Sequence, residues 1–98
     1  MHRTPDAGHV TIRRRLVVHG QVQGVFYRDT CRREARRLGV TGFVRNVDDG
    51  TVEAVFEGDP DAVSTMLDWA HTGPARAQVG RVDVAEEEPE GLTDFQVR

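Results

Sequence analysis

The chain has 98 residues, 38% apolar and 30% charged, with Gly 10 and Pro 4, a size and composition that suit one soluble domain and exclude collagenous, low-complexity and wholly disordered classes. No stretch approaches the roughly 20 apolar residues of a membrane-spanning helix, residues 1–9 lack the apolar core of a secretory signal, and one cysteine, Cys31, allows neither an internal disulfide nor a cysteine-based metal cluster. Every basic residue other than histidine is arginine, and the net charge of −3 is unevenly spread: residues 1–49 carry ten arginines and five acids, residues 50–98 three arginines and eleven acids.

That balance is not a nucleic-acid binder's, yet the first half could present a cationic surface to a small anion. The expectation is a cytoplasmic protein with no membrane partner: a leader over residues 1–9, then one domain over residues 10–98.

In chain order, Ile12, Arg14, Leu16 and Val18 alternate with Thr11, Arg13, Arg15, Val17 and His19, which predicts a first strand over residues 10–19. Alternation sends Arg14 to the face opposite its arginine neighbours, so either a bulge intervenes or Arg14 reaches the sheet rim. Gly20 and Gly24 interrupt the pattern. Tyr27, Cys31, Ala35 and Leu38 next repeat at helical spacing, predicting a helix with Arg32, Arg33, Arg36 and Arg37 outside and Gly39 as its left-handed stop. Residues 42–47 and 51–57 flank Asp48-Asp49-Gly50 and read as two strands of a hairpin.

Asp59-Pro60 is a helix start, a carboxylate cap followed by a ring tolerated in the first turn. Val63, Met66, Leu67 and Ala70 carry that helix to Gly73-Pro74. Ala77 and Val79 alternate in one phase and Val82 and Val84 in the other, predicting a fourth strand with a bulge near Gly80 or Arg81. An expected solvated acidic loop, residues 86–91, leads to a short strand Phe95-Gln96-Val97. The order β-α-β-β-α-β is the α+β split βαβ arrangement of ferredoxin-like domains: an antiparallel sheet, two helices on one face, a short fifth strand, and an opposite face expected to be largely wet.

A fold of this kind hosts many functions, so function must come from a site. The segment Gln23-Gly24-Val25-Phe26-Tyr27-Arg28 lies where the first strand gives way to a helix. A helix N-terminus offers unpaired N–H groups and the positive end of a dipole, glycines let successive amides form a concave nest, and an arginine fork matches two phosphate oxygens. An exposed arginine beside a simple glycine turn is the competing reading. There is no Gly-Lys-Ser/Thr, which argues against a nucleotide triphosphate loop. His19 is a supporting residue at most, and His2, His9 and His71 have no metal-ligand spacing.

Gly20-Gln21-Val22-Gln23-Gly24-Val25-Phe26-Tyr27-Arg28 resembles the first signature of the acylphosphatase family, and Gly42-Phe43-Val44-Arg45-Asn46-Val47-Asp48-Asp49-Gly50 resembles its second. The similarity runs over roughly residues 10–98. It implies hydrolysis of an acyl phosphate to a carboxylate and inorganic phosphate by a monomer without metal or cofactor. On this resemblance Gln23, Gly24, Val25, Phe26, Tyr27 and Arg28 bind the phosphoryl group, and Arg28 and Asn46 are catalytic, Asn46 aiming the attacking water. Val47 departs from members with a hydroxyl residue beside the asparagine. The acylphosphatase-like part of larger hydrogenase-maturation proteins is a related possibility, although 98 residues would not hold their other domains. An RNA-binding module of the same strand-helix order is the alternative class, but Thr51-Val52-Glu53-Ala54-Val55-Phe56-Glu57 lacks the paired aromatics such a module stacks on bases.

Overall fold

The structure, a computed structural model, describes residues 10–98; the expected leader, residues 1–9, lies outside them. The elements are β1 (Ile12–Gln21), α1 (Tyr27–Leu38), β2 (Thr41–Asn46), β3 (Val52–Gly58), α2 (Pro60–Thr72), β4 (Gln78–Glu87) and β5 (Phe95–Val97). They form one five-stranded sheet in the order β4-β1-β3-β2-β5. The first four strands pair antiparallel, and β5 joins the outer edge of β2 in parallel, so the sheet is mixed at that edge.

Both helices cover one face. Tyr27, Cys31 and Ala35 of α1 and Val63, Met66 and Ala70 of α2 meet Leu16, Val18, Val44, Val52, Ala54, Phe56 and Phe95 in a single apolar core. Burying those side chains is the main stabilising term, at roughly 1.5–3 kcal/mol for each large one. The helix ends follow their sequence signals. Gly39 adopts φ 74° and closes α1 with its N–H on the Ala35 and Arg36 carbonyls, and the Asp59 carboxylate accepts from the amides of Asp61 and Ala62 to start α2.

The predicted bulge is present: between His19 and Gly20 the β1–β4 register slips, leaving Gly80 unpaired. The expected interruption at Gly20 is corrected, because β1 runs on through Gln21. Gly20 has φ 125° and sits so close to β4 that a Cβ would lie 2.1 Å from the Gln78 carbonyl oxygen. Glycine is thus needed there for strand pairing rather than for an anion nest. The β1–β3 register is unbroken from Ile12 to Val18, which resolves Arg14: no bulge intervenes, and it lies beside Glu86 at the sheet end, 3.8 Å away.

Two further expectations are corrected on the face away from the helices. That face is not wet throughout, for Arg13, Phe43, Val55 and Glu57 are buried there. Glu86 and Glu87 belong to β4 rather than to a solvated loop, and Glu87 bridges the guanidiniums of Arg13 and Arg15 at 2.8 and 2.6 Å. To reach β5 from β4 the chain must cross the width of the sheet. It is pinned on the way by Glu57, whose carboxylate accepts from the amides of Glu90, Gly91 and Leu92 and from Arg13.

Candidate active site

The turn from β1 into α1 is held in an unusual backbone conformation. Gly24 has φ 74° and no atom within 4 Å of where a Cβ would stand, so its glycine serves the backbone angle and leaves the approach open. Phe26 is the one non-glycine residue with positive φ among the described residues, at 64°, a conformation that costs of order 1–3 kcal/mol and concentrates at functional sites. It is also the N-cap of α1, and its phenyl ring makes no capping hydrogen bond. The first-turn amides of α1 therefore gain no side-chain acceptor from their cap, which leaves donors and the positive helix end for an anion.

Side chains on three sides brace this turn. Gln23 donates from Nε2 to the carbonyls of Val47 and Thr51 at 2.7 and 2.8 Å, tying the loop to the β2–β3 turn. That turn is itself closed by Asp49, which accepts from the amide and hydroxyl of Thr51. Val25 packs partly against the core. Tyr27 is buried, donates its hydroxyl to the Ala70 carbonyl at 2.8 Å and lies with its ring 5.0 Å from that of Trp69, fixing the start of α1 on α2; burial pushes its phenol pKa up.

A cavity of about 340 Å³ opens above the loop, within the size range of small-molecule sites. Gly24, Phe26, Tyr27, Arg28 and Asn46 line it together, whereas the side chains of Gln23 and Val25 act beside it as described. Among the described residues the Arg28 side chain makes one hydrogen bond, a long one of 3.4 Å to the backbone oxygen of Arg98, leaving most of its five donors for other partners. Asn46 ends β2 on the same face as Val44, toward the helices. Its Oδ1 is buried and has no hydrogen-bond partner, the single such side-chain atom among the described residues. An acceptor in that position costs free energy unless a ligand or solvent donor meets it.

Asp29 and Arg32 also line the cavity, and neither was expected from the sequence. The signal was present in the spacing: Arg32 is one helical turn beyond Arg28 and shares its face. Asp29 would repel an anion, but Arg32 and Arg33 hold its carboxylate at 3.0 and 3.3 Å. Among the described residues His19 makes no hydrogen bond to the loop; its Nε2 lies across the bulge, 2.9 Å from the Asp83 carboxylate and 3.2 Å from the Arg81 guanidinium. Cys31 is buried in the core, where burial pushes its thiol pKa up and keeps it protonated.

Residues 14–97 match the acylphosphatase family. A curated acylphosphatase from Thermococcus kodakarensis is 57% identical, over 88% of this chain and 94% of its own. The chain belongs to the acylphosphatase family. Two solved family members agree in fold. An acylphosphatase from Coxiella burnetii superposes with a TM-score of 0.86 at 38% identity, over 90% of this chain and 93% of its own. The acylphosphatase of Bacillus subtilis does so with a TM-score of 0.86 at 32% identity, over 89% and 98%. No helix of the described residues is long and apolar enough to cross a membrane.

Proposed function

We propose that this enzyme hydrolyses the carboxyl–phosphate bond of acyl phosphates, with the Gly24–Arg28 amides and the Arg28 guanidinium holding the phosphoryl group and Asn46 aiming the water. The observation that carries the reading is the buried, unpartnered Oδ1 of Asn46 in the cavity that Arg28 and the α1 N-terminus line. An Oδ1 acceptor can take a proton-side hydrogen bond from water while the Nδ2 donor of the same group meets a phosphoryl oxygen.

The chemistry asks for little else. Phosphoryl transfer depends mainly on positioning and on stabilising charge over the three equatorial oxygens, which amides, dipole and guanidinium supply. The water oxygen bonds to phosphorus as the bond from phosphorus to the acyl oxygen breaks. That oxygen leaves as carboxylate with the electron pair, and the water proton passes to a phosphoryl oxygen, giving inorganic phosphate. Carboxylate leaves well without strong protonation, so no general acid is needed and neither Arg28 nor Asn46 has to titrate. The same reading takes the enzyme as a cytoplasmic monomer that uses no metal or cofactor, so a chelator should leave its rate unchanged.

Benzoyl phosphate hydrolysis by the wild type, Arg28→Ala and Asn46→Ala, with folding checked by circular dichroism, tests the assignment. Loss of one preorganised polar contact of this kind costs about 10²–10³ in kcat. Asn46→Ala should lose at least that much turnover while still binding inorganic phosphate, and Arg28→Ala should lose both. Three folded proteins of equal activity would refute the site.

A further inference from the structure

Phe26 carries two unfavourable features at one position. Its φ of 64° is one that glycine would adopt without strain, and the residue is 69% exposed, more than any other large apolar residue described. The ring is absent from the core and from both aromatic pairs, and it makes no capping bond to α1. Folding alone accounts for neither feature. The position does have a distinctive place: Phe26 lines the Arg28–Asn46 cavity and also a second cavity of about 320 Å³, bounded by Val25, Pro74 and Ala75. An exposed apolar side chain thus borders the cavity that Arg28 and Asn46 line.

We propose that Phe26 is a specificity-determining residue: its backbone belongs to the phosphate loop, and its ring is the surface on which the acyl group of the substrate lies, favouring aromatic and bulky apolar acyl groups over short ones. The inference rests on the hydrolytic reading above. With the phosphoryl group drawn to the loop amides and water arriving in line, the acyl group must project away from Asn46, toward the cavity rim. Arg32, which lines the first cavity, and Arg33, which lines the second, are neutralised in part by Asp29, and the ring and Val97 are apolar surfaces open to the acyl group there. A benzoyl group can pack offset on a phenyl ring and remove both from water, whereas an acetyl methyl covers little of it.

The test is the ratio of kcat/KM for benzoyl phosphate to that for acetyl phosphate, in the wild type, Phe26→Leu and Phe26→Gly. Damage to the phosphate loop lowers both rates and cancels in the ratio, and the inhibition constant of inorganic phosphate reports it separately. The ratio should fall about tenfold in Phe26→Gly, mostly through a higher KM for benzoyl phosphate, with Phe26→Leu between the two. A ratio that Phe26→Gly leaves unchanged overturns the inference while leaving the hydrolytic reading intact. A wild type that hydrolyses neither compound removes that reading and this inference with it.

Discussion

Replacing Glu57 by glutamine should destabilise the fold by about 3 kcal/mol. The Glu57 carboxylate is buried and accepts four hydrogen bonds, from Arg13 at 2.6 Å and from the amides of Glu90, Gly91 and Leu92 at 2.8, 3.1 and 3.1 Å. Burial pushes its pKa up, but the Glu90 amide and Arg13 outweigh that and hold it below the usual range, so it is ionised at neutral pH. Glutamine keeps one acceptor oxygen and sets an NH₂ against donors on the other side. Breaking a buried ion pair from one side costs about 3–5 kcal/mol. Arg13 retains Glu87 at 2.8 Å and Glu90 at 3.4 Å, which places the loss at the low end of that range. For a domain of this size about 3 kcal/mol corresponds to a fall in Tm of roughly 12–24 °C. Urea unfolding of Glu57→Gln, Arg13→Met and the double variant measures both the loss and the coupling. A loss below about 1 kcal/mol, or additive single effects, would show that the β4–β5 crossing is held by something other than this carboxylate.

Acid should weaken the same face. Glu87 is held at about 2 by hydrogen bonds from Arg15 and then Arg13, so its contribution is complete above its ordinary value of about 4.5 and is lost as pH falls toward 2. The urea midpoint should therefore drop more steeply between pH 5 and 2 in the wild type than in Glu87→Gln, and parallel curves would exclude the pair as the cause. Gln23→Leu removes the two bonds that tie the phosphate loop to the β2–β3 turn. It should raise the inhibition constant for inorganic phosphate several-fold and cost roughly 1 kcal/mol of stability; an unchanged constant would mean that the loop keeps its shape without this brace.

Much of the molecule was legible because its signals are local. Strand alternation, the α1 and α2 stripes, Asp49-Gly50, Asp59-Pro60 and the Gly39 stop each act within a few residues, so the order of elements and the candidate loop follow from neighbours in the chain. The bulge could be read too, since a change of phase between Val79 and Val82 is itself a local pattern.

What stayed hidden depends on partners far along the chain. Gly20 reads as a loop residue until β4 is laid against it and its Cβ position is found to be filled by the Gln78 carbonyl. Glu86 and Glu87 read as solvated charge because their partners lie some 70 residues earlier on β1. The parallel docking of β5 on β2, the burial of Glu57 beneath the β4–β5 crossing, the entry of Arg32 into the cavity and the unmet Oδ1 of Asn46 were likewise decided by tertiary structure. Residue type and spacing determine which element a segment prefers and which chemistry it can offer. Which groups then face one another, and which acceptor is left without a donor, is set only when strands distant in sequence close a sheet and water is excluded between them.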